Sequence, residues 1–79
     1  MVQINFSYKM KPYNINKIYN VDCILIKRIE GYQVKNCDYD FINEFRILTY
    51  ECKNEKVQKL INKAKKSNIQ TLRWEYHVI

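Results

Sequence analysis

The sequence predicts an α+β domain spanning residues 1–79: a four- or five-stranded, mainly antiparallel sheet with one amphipathic helix packed on one face, in the order βββ(β)αβ. Three observations carry that expectation. One segment, residues 54–68, has helical periodicity. Segments near both termini alternate strictly between apolar and polar residues. The chain is 79 residues long with one Gly and one Pro, which leaves room for one modest core and few breaks in it.

The helix is the clearest element. Val57, Leu60, Ile61 and Ala64 fall at i, i+3, i+4 and i+7 and form one apolar stripe. Lys56, Lys59, Lys63 and Lys66 gather on a neighbouring strip. Asn54 is the expected N-cap, and Glu55 lies where the helix dipole favours an anion. Ser67 and Asn68 supply a polar stop, with Asn68 able to take the left-handed conformation.

In chain order, Val2, Ile4, Phe6, Tyr8 and Met10 alternate with polar residues as in a half-buried strand, which Pro12 ends. Residues 18–29 contain Cys23-Ile24-Leu25-Ile26, apolar on both faces, and are expected to form a central strand. Glu30-Gly31 is a turn, Tyr32-Gln33-Val34 a short third strand, and residues 36–43 a loop with Tyr39 and Phe41 as its anchors or its exposed tips. Phe45–Cys52 is the fourth strand, with Phe45 and Ile47 on one face and Leu48, Tyr50 and Cys52 on the other. Leu72, Trp74, Tyr76 and Val78 alternate with Thr71, Arg73, Glu75 and His77 in the last strand, which should run parallel to the fourth. Leu60, Ile61, Trp74, Tyr76, Leu25, Ile4 and Phe6 are the expected core.

Composition narrows the function classes. The formal net charge of +6 invites a nucleic-acid partner. The excess is mostly Lys, however, alongside abundant Asn, Ile and Tyr, the residues that A/T-rich codons specify. A low-GC genome therefore explains it without a ligand. Cys23, Cys37 and Cys52 form no CxxC pair and follow no secretory signal, which places the protein in a reducing cytoplasm. No apolar run approaches the ~20 residues needed to span a bilayer, so no membrane partner is expected.

Chemistry-bearing constellations are few. The strip Lys56, Lys59, Lys63 and Lys66 can track phosphates or an acidic partner, although solvated helix faces are commonly charged. Arg73, Glu75 and His77 share one strand face and contain the acid, base and cation of a small metal-independent ribonuclease, but such alternation also describes any solvated strand. Asp38 and Asp40 lack the further ligands of a calcium loop, the single His and scattered Cys make no zinc set, and Gly31 alone makes no phosphate loop. Neither a metal nor a cofactor is expected. If residues 18–29 form a two-sided strand, Ile24 and Ile26 create an apolar patch that a loop bearing Tyr39 and Phe41, a second copy of the chain, or a partner must cover.

Together these readings favour stoichiometric binding over catalysis. The small size and AT-biased composition match the style of accessory proteins of phages and mobile elements, which inhibit host machinery by occupying a surface. A host protein or nucleoprotein complex is the expected partner, through Ile24, Ile26, Tyr39 and Phe41. Direct nucleic-acid binding through the lysine helix is the alternative, a ribonuclease is the enzymatic one, and homodimerisation is a further option.

Overall fold

A computed structural model describes residues 1–79. The chain folds as β1 (Val2–Lys9), α1 (Ile15–Arg28), β2 (Asn36–Asp40), β3 (Phe45–Cys52), a 3₁₀ turn (Asn54–Lys56), α2 (Val57–Lys65) and β4 (Arg73–Val78). The four strands form one sheet in the order β2-β3-β1-β4, with every neighbouring pair antiparallel. β1 and β2 therefore run the same way with β3 between them, and β3 and β4 run the same way with β1 between them. Two interleaved split βαβ units of this kind define the ferredoxin-like topology. The α+β class and antiparallel sheet agree with the sequence; the order is βαββαβ with two helices, not βββ(β)αβ with one.

The largest correction concerns residues 18–29, which are helix rather than a central strand. Asn14 caps α1: its backbone is extended and its side chain accepts the Lys17 N–H at 3.1 Å. Ile18, Asp22, Leu25 and Ile29 then recur at helical spacing and are all buried. Lys27 and Arg28 occupy the last turn, and Gly31 follows with φ +96, a conformation open to glycine. The β-branched residues of this run disfavour a helix only weakly, and packing of the buried stripe outweighs that preference.

Two smaller corrections follow. Residues 32–34 are not a strand, and the segment expected to be a loop, Asn36–Asp40, pairs with β3 as β2. The second helix sits where its periodicity placed it, but Asn54 makes no side-chain cap; the 3₁₀ turn leads in from Lys53. Its end follows expectation. Ser67 Oγ donates to Ala64 O at 2.6 Å, and Asn68 takes φ 58.

The register assigns the two sheet faces. Val2, Ile4, Phe6 and Tyr8 of β1 share the helix-side face with Leu48, Tyr50 and Cys52 of β3. These residues, except Tyr8, form one buried cluster with Leu25 and Ile29 of the α1 end and with Val57, Leu60, Ile61 and Ala64 of α2. Leu60 is fully buried, so Leu60→Ala is expected to cost ~2–5 kcal/mol in a denaturant melt. Tyr8, Met10 and Ile18 make a smaller satellite cluster.

The opposite face carries Gln3, Asn5, Ser7 and Lys9 of β1 and only Phe45 and Ile47 as large apolar residues of β3. It is mostly polar, so it needs no apolar cover. Expected core residues Trp74 and Tyr76 are the exception to the burial pattern: they lie on the helix side, opposite Phe6 and Ile4, yet are 37% and 56% exposed. The central strands take up the cover that two helices provide, and the apolar row of the β4 edge lies outside it.

Candidate binding surface at the hairpin end

The β2–β3 connection is held rigid by short-range bonds. Asp40 accepts the Ile42 N–H at 2.9 Å, the Asn43 N–H at 3.1 Å and the Asn43 side-chain amide at 2.9 Å. Those bonds, Asn43's first, hold the Asp40 carboxyl below its ordinary value. Glu44 takes φ 61 and donates its N–H to Asp40 O at 2.7 Å, while Glu44 O receives the Met10 N–H at 2.9 Å. The loop is thereby tied to the end of β1. With its polar groups turned inward, its apolar side chains face out: Phe41 is 74% exposed and Ile42 91%.

Three aromatic rings meet there. Tyr39 contacts Phe41 edge-on with centroids 4.7 Å apart, Tyr13 contacts Tyr39 edge-on at 4.9 Å, and Tyr13 stacks on Phe41 at 5.6 Å. The Tyr39 hydroxyl donates to Met10 O at 2.5 Å, which fixes the central ring. Its phenol is pushed above the ordinary value, first by desolvation and then by the Glu44 and Asp40 carboxylates.

A buried charge network backs this corner. Asp22 on α1 accepts the Tyr8 hydroxyl at 2.6 Å through one oxygen and the Arg46 Nε and Nη2 at 3.1 and 2.9 Å through the other. Arg46 also reaches Asp38 O on β2 at 3.4 Å. Burial acts against the Arg46 charge, but Asp22 outweighs it and raises the guanidinium's pKa. The Tyr8 phenol is pushed far up, by burial first and by its bond to Asp22 second.

On the polar face beside the loop lies an open basin of about 590 Å³ that includes Ser7, Asp40, Phe45 and Glu75. Lys9 Nζ and the Arg73 guanidinium both sit over the Phe45 ring, 5.2 and 5.1 Å from its centre. Arg73, Glu75 and His77 do share this face, opposite Ser7, Asn5 and Gln3. All three are exposed, and no side-chain hydrogen bond or ion pair joins them.

The remaining sequence-derived candidates are scattered. Lys56, Lys59 and Lys66 are exposed on or beside α2, while Lys63 donates to Glu30 O at 3.4 Å and lies over Tyr32. Ile24 and Ile26 are 49% and 40% exposed, but on α1 rather than on a strand beside Phe45. Residues two apart on a helix point about 200° apart, so the pair makes no common patch. Tyr39 and Phe41 therefore do not cover them. Asp38 accepts its neighbour Tyr39's N–H at 2.8 Å, and Asp40 is engaged in the loop. No group of three or more His, Cys, Asp or Glu side chains is placed to hold a metal ion, and no helix is long and apolar enough to cross a membrane.

Sequence reasoning singled out Tyr39 and Phe41 and missed Tyr13 and Ile42. The available signal was Pro12-Tyr13, an aromatic residue set directly in a connecting segment. No protein-family model matches this chain, and no curated protein does either.

Proposed function

We propose that this chain is a small non-enzymatic binding protein that occupies a surface of a host protein or nucleoprotein complex, using Tyr13, Tyr39, Phe41 and Ile42. The observation that carries the proposal is the exposed three-ring cluster on a hydrogen-bonded loop. Aromatic residues dominate the energetics of protein interfaces, and a rigid mount lowers the entropy lost on binding. Ile24 and Ile26 leave the contact set because they stand on different sides of α1. The AT-biased composition and small size fit an accessory protein or inhibitor from a phage or mobile element acting in the cytoplasm.

The test is capture of partners from the source cell by the intact protein and by Phe41→Ala, each with and without nuclease. A partner that survives nuclease, and whose affinity falls at least about tenfold with Phe41→Ala, supports the proposal. A partner lost with nuclease, and weakened by reversing Lys59 and Lys66 to Glu, would assign the activity to nucleic-acid binding by the lysine helix. Cleavage of RNA in EDTA with a bell-shaped pH profile would assign it instead to a ribonuclease using Glu75 and His77.

A further inference from the structure

We propose that two copies of this chain pair antiparallel through β4, fusing their sheets into one about a two-fold axis at Tyr76. β4 has β1 as its only neighbour, so its other side is a free edge. The Ile79 N–H donates to Met1 O at 2.9 Å, in line with the β1–β4 register. Backbone groups alternate along an antiparallel strand, so the N–H and C=O of Trp74, Tyr76 and Val78 point to the free side. The side chains of the same three residues occupy the helix-side face, and Val78 is 77% exposed. Unpaired backbone and uncovered apolar side chains thus coincide on one edge, with no Pro, bulge or helix-side charge in the strand to blunt it.

A second copy of the chain is the occupant because the side chains of β4 can complement themselves across this edge. In a continuous two-fold sheet, helix-side residues must oppose helix-side residues, and the registers that pair most of the six-residue strand are those centred on Glu75 and on Tyr76. One sets Glu75 opposite the partner's Glu75, two carboxylates face to face. The other sets Tyr76 opposite the partner's Tyr76 and Trp74 opposite the partner's Val78. That register places Glu75 opposite the partner's His77, twice by symmetry, and puts the outward backbone groups in position for about six hydrogen bonds. β4 is self-complementary in this second register.

The neighbouring helix permits the approach. Lys65 lies over Trp74, on the β4 side of α2, and Gln58 and Asn62 share that flank at helical spacing and bond each other at 2.9 Å. Lys63 reaches the Glu30 carbonyl on the α1 side, so the strip it shares with Lys56, Lys59 and Lys66 faces away from the seam. The opposite sheet edge offers no equivalent: β2 is five residues long and carries Asp38 and Asp40. The proposal stands independently of the aromatic cluster, which it leaves uncovered in both copies.

Sedimentation equilibrium over roughly 1–200 µM tests the assembly. The mass should rise from 9.7 kDa toward twice that value, and Tyr76→Lys, which sets two ammonium groups face to face, should hold it at the monomer. Single cysteines test the register with Cys23 and Cys37, both exposed, changed to Ser. Tyr76→Cys should cross-link on oxidation, because opposed Cα atoms about 5.5 Å apart suit a disulfide, and Glu75→Cys should not. A monomer at every concentration, a dimer that tolerates Tyr76→Lys, or cross-linking through Glu75→Cys in preference to Tyr76→Cys would overturn the proposal.

Discussion

The two edges of the sheet are built differently. At the β2 edge, side chains tie the strand to the rest of the molecule: Arg46 links Asp22 to the Asp38 carbonyl, Tyr39 bonds the end of β1, and Asp40 closes the hairpin. At the β4 edge no strand side chain makes a hydrogen bond; beyond the pairing with β1, Trp74 and Arg73 contribute only cation–π contacts. The first edge is closed to a further strand by short length and acidic residues and presents aromatic rings on a fixed mount. The second presents backbone and apolar surface together. On the two proposals made above, one small sheet would separate recognition from assembly, a division that fold class alone does not specify.

The contrast predicts unequal costs for deleting a large contact on each side. Asp22→Ala removes the carboxylate shared by Arg46 and the Tyr8 hydroxyl, leaving them only the longer bonds to Asp38 O at 3.4 Å and Ile18 O at 3.3 Å. In a site where the ion pair is largely shielded, this is expected to cost about 3 kcal/mol in urea unfolding. Trp74→Ala, on a residue 37% exposed, is expected to cost about 1 kcal/mol when measured on the dilute monomer. Equal costs would break the distinction.

Alkaline pH should act on the helix-side face of the two central strands. Tyr8 and Tyr50 titrate above their ordinary 10.0 in the fold, both chiefly through burial, with Tyr50 pushed up to about 12. The neutral phenols are therefore favoured by folding. That contribution is complete below pH 10 and declines as pH rises from 10 toward the folded values. Tyr8→Phe should flatten the alkaline limb of a stability profile. Tyr50→Phe should do so at little cost near neutral pH, because the Tyr50 hydroxyl is buried without a partner.

The smallest expected effect belongs to the hairpin loop. The Asp40 carboxyl sits below its ordinary 3.8, so its contribution is present above that value and disappears as pH falls through the folded one. Asp40→Asn should flatten the acid limb and leave the behaviour of β4 unchanged. A shift in self-association would show that the two edges are coupled.

Much of this architecture was legible in the sequence, and the failures share a cause. The α2 stripe, the alternation of β1 and the two faces of β3 depend on local periodicity, and each is found as expected. In α1 the buried stripe is interrupted by Asp22, which reads as a solvent residue until Arg46, distant in sequence, supplies its counter-charge. The Asn-Cys-Asp-Tyr-Asp segment of β2 has poor strand propensity and gains its conformation from pairing with β3. Trp74 and Tyr76 were correctly assigned to the apolar side, but alternation does not show how far a helix reaches across a sheet. The candidate binding surface was half visible. Tyr39 and Phe41 stood out, whereas Tyr13 joins them only because the β1–α1 connection folds back on the hairpin.

Amide hydrogen exchange followed as a function of protein concentration tests the division between edges most directly. The outward amides of Trp74, Tyr76 and Val78 should exchange rapidly in dilute protein and become protected together as concentration rises, while protection in β2 stays constant. Protection of those three amides that is independent of concentration, or protection in β2 that rises with theirs, would contradict the account.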